Sequence, residues 1–228
     1  MEILDAIPFE VDFRDLARRA HIEPGSDDAA AFEALCATAV EVAQPKAAYT
    51  VGYIDARGDD TVTINGTTFT SRVLRTNLAE VERVFAYVAT CGCELAQIEL
   101  APGDFLAPYW RDALCAAALG CAVKCLNEHL SAAHALGHTA HMNPGSGDAS
   151  VWPIEQQPLL FGLIGDVKGA IGVELTESCL MLPTKSVSGI RFPTAIDFES
   201  CRLCHREDCP SRRAPFDAEL YESLHVEG

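Results

Sequence analysis

Positive charge is scarce in this sequence. Its 228 residues include 17 lysine and arginine residues against 33 aspartate and glutamate residues, which gives a formal net charge of −16 at pH 7. A surface with this charge repels the phosphates of nucleic acids and the headgroups of anionic membranes. We therefore expect neither a nucleic acid nor a membrane among the partners of this protein.

Long hydrophobic runs are also missing. The longest weakly polar stretch, Ala113–Val123, falls well short of the ~20 apolar residues that a membrane-spanning helix needs. The segment Met1–Arg19 carries acidic side chains such as Glu2 and Asp5, so it lacks the basic start and apolar middle of a secretory signal. We therefore expect a cytoplasmic protein. A composition of 49% hydrophobic and 22% charged residues is typical of a folded domain.

Alanine-rich and periodic segments predict the helices. Residues 27–42 place apolar side chains along one helical face, and residues 104–134 keep the same period over a longer stretch. Asp104 is a candidate N-cap for the longer helix. Asn77, with Glu80 three residues further on, has the pattern of a capping box and predicts the start of a short helix.

Strands are predicted where β-branched and aromatic residues concentrate. Residues 48–54 and 84–90 have this composition, and the second segment is apolar throughout, as a buried strand would be. Residues 61–70 carry β-branched side chains on both sides of Asn65-Gly66, a dipeptide typical of a tight hairpin turn.

The last third of the chain is more irregular. Residues 138–158 contain several glycines and prolines, which predict an ordered loop. Residues 155–167 have the composition of a helix, and residues 173–182 are apolar and predicted to be extended.

Two short motifs in this part of the chain carry a resemblance. Leu175–Ser178 reads LTES and is followed by Ser186–Gly189, which reads SVSG, while Pro144–Asp148 lies upstream as a Pro-Gly loop. In this order and spacing they resemble the closing part of the activation domain of cobalamin-dependent methionine synthase. The likeness extends back to about Thr61, where the predicted elements follow the family's order. It implies an α+β fold with a twisted antiparallel sheet, a long central helix and flanking helices.

The resemblance also implies a function. In that family the domain binds S-adenosylmethionine and presents its methyl group to cob(II)alamin, while a low-potential donor such as flavodoxin or ferredoxin supplies an electron. We therefore expect a free-standing accessory protein that serves a corrinoid methyltransferase, or a methionine synthase without its own activation domain. Cobalamin would reside on the partner. The motifs imply a ligand site built from His141, Pro144, Gly145, Ser146, Gly147, Asp148, Glu177, Ser186, Ser188, Gly189 and Arg191.

Three positions depart from the family pattern. His141 and Ser146 stand where the family has an arginine and a tyrosine that touch the nucleoside ligand, and Arg191 stands where it has a second tyrosine. A neutral imidazole cannot reproduce the bidentate grip of arginine on a carboxylate, and serine cannot stack on adenine. Two alternatives therefore remain open. One is a non-catalytic corrinoid-protein partner, or a metal or iron–sulfur electron-transfer module, that has lost S-adenosylmethionine binding. The other is a cysteine-nucleophile enzyme that uses Cys91 or Cys93 with a histidine from residues 129–141.

Ten cysteines in a cytoplasmic chain indicate metal ligands, redox groups or buried thiols rather than a disulfide framework. Three of them, Cys201, Cys204 and Cys209, lie close together, and thiolates at such spacing can surround one centre. We predict a metal site there, with Cys179 as the fourth ligand because it lies inside the resembling motif. Cys91, Cys93 and His205 are alternative fourth ligands. The spacing fits a 4Fe–4S cluster and a structural zinc ion equally well.

The organisation follows from these assignments. We interpret residues 1–60 as an N-terminal region packed on the main domain, residues 61–197 as the activation-domain-like core, and residues 198–228 as a Cys-rich, metal-binding clip.

Overall fold

A computed structural model of the protein describes residues 1–10, 12–148, 150–195, 198–209 and 212–225. The strands in these ranges are β1 (Glu2–Leu4), β2 (Lys46–Arg57), β3 (Thr61–Ile64), β4 (Thr67–Thr70), β5 (Arg83–Thr90), β6 (Thr139–Met142), β7 (Glu174–Leu175), β8 (Met181–Leu182) and β9 (Ser186–Pro193). The α-helices there are α1 (Phe13–Arg19), α2 (Asp27–Val42), α3 (Arg72–Asn77), α4 (Cys93–Ala96), α5 (Ala107–His134), α6 (Gln157–Ile164), α7 (Val167–Ile171) and α8 (Ala218–His225). Short 3-10 helices cover Ile154–Gln156 and Ser200–Leu203.

Most strands belong to one antiparallel sheet with the order β4-β3-β2-β5-β9-β6, and β1 adds to one end of β2. β5 lies in its middle, where Tyr87 is opposite Tyr49 of β2 on one side and Gly189 of β9 on the other. Every residue of β5 after Arg83 is buried, as its continuous apolar composition predicts. The structure thus confirms the predicted α+β fold.

The two faces of the sheet pack against different helices. Successive side chains of a strand point to opposite faces. Phe85, Tyr87 and Ala89 pack with the buried residues of α5, whereas Val84 and Val88 belong to the cluster formed with α6 and α7. We call these the α5 face and the α6 face. This division decides which site residues can meet.

Helix α5 is the longest element, and its 28 residues span about 42 Å at 1.5 Å per residue. Asp104 Oδ1 accepts hydrogen bonds from the backbone N–H groups of Leu106 and Ala107 at 2.9 Å each, but the N-cap is Leu106, so the predicted N-cap lies two residues too early. Ala135, in the left-handed conformation, ends it. Neither α5 nor another helix in the described ranges is both long and apolar enough to cross a membrane.

The predicted β3–β4 hairpin is confirmed. Asn65 and Gly66 both have positive φ, at +46° and +78°, as a two-residue hairpin turn requires. The predicted capping box at Asn77 is wrong, because Ser71 accepts the N–H of Leu74 and starts the helix that Asn77 ends. Ser71 caps the helix because it directly follows β4, at the point where the extended backbone ends and the helix begins.

Three other segments differ from their predictions. The loop predicted over 138–158 contains β6, which becomes a strand because it pairs with β9. The helix predicted over 155–167 is divided at Gly165, whose φ of +118° is outside the helical range. The extended segment predicted over 173–182 is a short hairpin of β7 and β8, closed by a turn in which Cys179 has a φ of +62°.

Both ends of the chain contribute to the central packing. β2 lies within the region interpreted as N-terminal, and it pairs with β5 over eight residues. From the C-terminal segment, Phe198, Leu203 and Leu224 are buried in the same cluster as Trp152 and Val88. All three predicted segments therefore share one hydrophobic core.

Candidate functional site

Strand β9 carries four of the predicted site residues, but it divides them between the two faces of the sheet. Gly189 and Arg191 lie opposite Tyr87 and Phe85 and so belong to the α5 face. Ser186 and Ser188 alternate with them on the α6 face. The Ser186 hydroxyl oxygen lies 2.7 Å from Pro183 O and 2.9 Å from Thr90 Oγ1, and Ser188 is buried. The structure therefore does not bring these four side chains together.

On the α5 face a group of polar side chains gathers around Arg191, at the edge of the sheet formed by β6. We call it the Arg191 cluster. His141 lies directly opposite Arg191 across the β6–β9 pair, and Asn127 Oδ1 on α5 accepts a hydrogen bond from Arg191 Nη1. Arg213, from the C-terminal segment, places Nη1 3.4 Å from His141 Nε2. The members are Tyr87, Asn127, His141, Asn143, Arg191 and Arg213.

Two guanidinium groups and one carboxylate set the electrostatics of the Arg191 cluster, because Glu199 Oε2 lies 4.0 Å from Arg213 Nη1. Burial and the neighbouring Arg213 and Arg191 lower the pKa of His141 against the opposing effect of Glu199, so the imidazole is neutral and the two guanidinium groups carry the positive charge. Burial also lowers the pKa of Arg191 and raises that of Tyr87. Arg191 Nε is buried and has no hydrogen-bond acceptor among the described residues. A carboxylate or phosphate would supply that acceptor.

Asn143 connects this cluster to the Pro-Gly loop that follows β6. Its Nδ2 donates to Tyr87 Oη at 3.0 Å and to Ser188 O at 2.6 Å. Gly189 permits this approach, because a Cβ at that position would lie 2.5 Å from Met142 O and closer still to Asn143 Nδ2. At Gly189, β9 therefore lies so close to β6 and the start of the loop that no side chain fits at this position.

The Pro144–Asp148 loop is held by its own turns and by the C-terminal segment. Gly145 N donates to Trp152 O at 2.8 Å, and Gly147 lies against the backbone of Ser200. Asp148 Oδ1 accepts from the N–H and hydroxyl of Ser150, which lowers the pKa of Asp148, and its Oδ2 lies 3.7 Å from His205 Nδ1. The C-terminal segment therefore covers part of this loop.

Glu177 lies on the turn between β7 and β8, where its side chain is exposed. In the same turn the Thr176 and Ser178 hydroxyls lie 3.0 Å apart, and Thr176 Oγ1 accepts the N–H of Leu180. No contact in the described part of the chain joins Glu177 to the Arg191 cluster, so its ligand-binding role stays a prediction.

Arg212 organises the Cys-rich segment. Its guanidinium donates to the carbonyl oxygens of Cys201, Cys204, Arg206 and Ala214 at 2.6–3.1 Å. The described residues contain no group of three or more His, Cys, Asp or Glu side chains placed to hold a metal ion. Here Cys179, Cys201, Cys204 and Cys209 do not form a ligand set, so the metal site remains a prediction that the geometry does not support.

A solved structure resembles the fold of this chain. The MetH reactivation domain bound to AdoHcy matches with a TM-score of 0.61 and 16% identity, over 87% of this chain and 80% of that chain. The fold is that of the MetH reactivation domain. At this identity the likeness shows the fold alone. No family model and no curated protein matches the sequence.

Sequence reasoning missed several members of the Arg191 cluster. Asn143 directly precedes the Pro-Gly loop, so its position next to a predicted site could have marked it as a candidate site residue. Tyr87 could be assigned to a buried strand but not to a face. Asn127 and Arg213 join through tertiary contacts with partners 64 and 72 residues away in sequence, which no local pattern reveals.

A cavity of about 1030 Å³ lies elsewhere, between α1 and α2. Phe13, Phe32 and Val40 contribute to its mainly apolar walls, and Arg14 and Arg18 contribute charge. It contains none of the predicted site residues.

Proposed function

We propose that this chain is an accessory protein that reactivates a corrinoid-dependent methyltransferase, and that its Arg191 cluster binds the carboxylate of S-adenosylmethionine. The similarity in fold to the MetH reactivation domain, which binds AdoHcy, supports a role in reactivation. The Pro144–Asp148 loop supports an S-adenosyl ligand because it meets β9 through Asn143, beside the cluster. The corrinoid would reside on the methyltransferase partner, and a separate low-potential donor such as flavodoxin or ferredoxin would supply the electron. This chain would supply the position and charge of the methyl donor.

The observation that carries this proposal is the position of Arg213. The resembling family has an arginine where this chain has His141, and the loss of that guanidinium weakened the inference from sequence. Arg213 restores a guanidinium 3.4 Å from the His141 ring, and Arg191 adds a second on the facing strand. Two cations beside a neutral imidazole can bind one carboxylate in a bidentate manner.

Calorimetric titration of the purified chain tests the proposal. We expect saturable binding of S-adenosylmethionine and AdoHcy, and weaker binding of adenosine, which lacks the carboxylate. A hydrogen bond to a charged group contributes about 1.5–3 kcal/mol, so Arg213→Ala should weaken the binding of S-adenosylmethionine about 10- to 100-fold. The same substitution should leave adenosine binding unchanged.

Arg206→Ala is the matched control, because Arg206 belongs to the same segment and its side chain is exposed. This variant should bind all three ligands as the unmodified chain does. The proposal fails if no saturable heat appears at millimolar S-adenosylmethionine, or if Arg213→Ala weakens adenosine and S-adenosylmethionine equally.

A second candidate function is a corrinoid-protein partner that binds no methyl donor. The contacts of Gly147 with Ser200 and of Asp148 with His205 favour it, because the C-terminal segment covers part of the loop that would hold the ligand. The two candidates differ in binding to a methionine synthase cobalamin domain carrying cob(II)alamin. In the first, S-adenosylmethionine is consumed as methylcobalamin forms under reduction. In the second, the complex forms with unchanged affinity in the presence or absence of S-adenosylmethionine.

A further inference from the structure

Two buried thiols face a small cavity away from the Arg191 cluster. Cys91 follows β5 and Cys115 lies on α5, and they are 0% and 5% exposed. Both line a cavity of about 110 Å³ together with Arg111, Lys185 and Asp112. The Cys91 thiol donates to Gly92 O at 3.3 Å, and its interaction with Cys115 raises the pKa of Cys91 and lowers that of Cys115. None of the proposed ligand contacts involves them.

We infer that Cys91 and Cys115 form a redox-active dithiol that hydrogen peroxide converts to a disulfide. The geometry supports this because both cysteines line one cavity, and Arg111 and Lys185 line the same cavity. Lys185 also forms an ion pair with Asp112 at 2.9 Å, so the cavity contains one acidic group beside its two cations. The inference is independent of the proposed function.

The two cysteines have different roles. The neighbouring Cys91 thiol lowers the pKa of Cys115, and Arg111 and Lys185 lower it further, against the opposing effects of burial and Asp112. The Cys115 thiol and burial raise the pKa of Cys91. Cys115 is therefore the thiolate that attacks, because the thiolate is the nucleophile in thiol chemistry. Cys91 keeps its proton and is the resolving thiol.

The reaction is balanced by one equivalent of peroxide. The Cys115 thiolate attacks one peroxide oxygen, the O–O bond breaks, and Cys115 sulfenic acid forms as hydroxide leaves and takes up a proton to become water. Cys91 sulfur then attacks the sulfenic sulfur, an S–S bond forms, and the released oxygen leaves as water with the Cys91 proton. Two thiols and one hydrogen peroxide give one disulfide and two waters.

Burial of the two thiols favours a small oxidant. The cavity of about 110 Å³ admits molecules of the size of water, and hydrogen peroxide is only slightly larger. Because Cys91 and Cys115 are 0% and 5% exposed, glutathione disulfide cannot bring its sulfur atoms against theirs. The new bond would join α5 to the end of β5, where Cys91 N also donates to Lys185 O at 3.0 Å.

Thiol mapping of the whole reduced chain tests the inference. The chain is exposed to one equivalent of hydrogen peroxide, or to excess glutathione disulfide, then denatured, alkylated, digested and analysed by mass spectrometry. We expect peroxide to give a peptide pair linked through Cys91 and Cys115, and glutathione disulfide to leave both thiols free. The inference is overturned if both cysteines remain fully alkylatable after peroxide, or if glutathione disulfide forms the same link.

Cys36 is the internal control, since it is a buried cysteine of the same hydrophobic cluster whose pKa burial raises to about 11. Because the pKa of Cys115 is lowered whereas that of Cys36 is raised, Cys115 has the larger thiolate fraction and should be oxidised faster than Cys36. Equal oxidation rates at Cys36 and Cys115 would contradict the inference.

Substitution separates the two steps. In Cys91→Ser, Cys115 should stop at the sulfenic acid, which dimedone traps, and Cys115→Ser should leave Cys91 unoxidised. A Cys91→Ser protein in which Cys115 gives no dimedone adduct would refute the assigned order. The mapping of the unmodified chain stands without these variants, so a variant that does not fold leaves the test intact.

Discussion

Replacing Gly189 by alanine should test the contact between the Pro-Gly loop and β9. The added Cβ would lie 2.5 Å from Met142 O and 3.1 Å from Tyr87 Oη, and closer still to Asn143 Nδ2. Asn143 could move aside, because its side chain is flexible, but Met142 O belongs to the backbone of β6. The strand itself must therefore shift, and Asn143 must release its two acceptors.

The magnitude follows from two effects. Forcing a methyl group into a packed interior costs about 1–3 kcal/mol. Each of the two Asn143 hydrogen bonds contributes about 0.5–1.5 kcal/mol, so Gly189→Ala should lower the free energy of unfolding by about 2–6 kcal/mol. In a domain of this size the melting temperature falls by about 2–4 °C per kcal/mol, so we expect a decrease of at least about 4 °C.

Urea and thermal unfolding followed by circular dichroism provide the assay. Gly120→Ala is the control, because Gly120 lies within α5 with open space where a Cβ would be, and alanine there should stabilise the protein by about 0.5–1 kcal/mol. The reasoning is refuted if Gly189→Ala unfolds within 0.5 kcal/mol of the unmodified chain, a tolerance about the size of ordinary surface effects.

Three further predictions concern the C-terminal segment, the loop and the end of α5. Arg212→Ala should expose residues 198–225 to limited proteolysis, because the guanidinium holds four carbonyl oxygens of this segment, whereas Arg206→Ala should not. Asp148→Asn should destabilise the protein at pH 7. The pKa of Asp148 in the folded state lies below its ordinary 3.8, so the difference in stability between the variant and the unmodified chain should shrink as the pH falls below 3.8. It should vanish once the pH is below the lowered pKa, and urea unfolding measured at several pH values would show this. Ala135→Gly should raise the free energy of unfolding by about 0.5–1 kcal/mol, since Ala135 has a φ of +51°, and an unchanged or lower melting temperature would contradict this.

Local signals predicted the elements that depend on local physics. The helix over 27–42 has the predicted bounds, and the hairpin at Asn65-Gly66 forms because only a few residues adopt positive φ easily. β5 was predictable because its apolar run is continuous. β6 was not, since its four residues form a strand only by pairing with β9, about 50 residues later in the chain.

The candidate site depends more strongly on tertiary structure. The motif containing Ser186–Gly189 marked the correct strand, but the motif alone could not show that alternate residues point to opposite faces. Arg191 was predicted, whereas Arg213 was not, because its approach to His141 depends on the path of the C-terminal segment over the sheet. The cysteine spacing, which predicted a metal site, did not reveal that Arg212 would hold the same segment through backbone carbonyls.

The order of the strands also affects when the protein can fold during synthesis. β9 lies between β5 and β6, so both strands have an unpaired edge until residues 186–193 have left the ribosome. Until then β5, the most apolar strand, can pair only with β2 and exposes one edge to other chains. Such edges promote aggregation, and pairing between distant segments slows folding. The nascent chain should therefore depend on chaperones most strongly after β5 emerges and before β9 does.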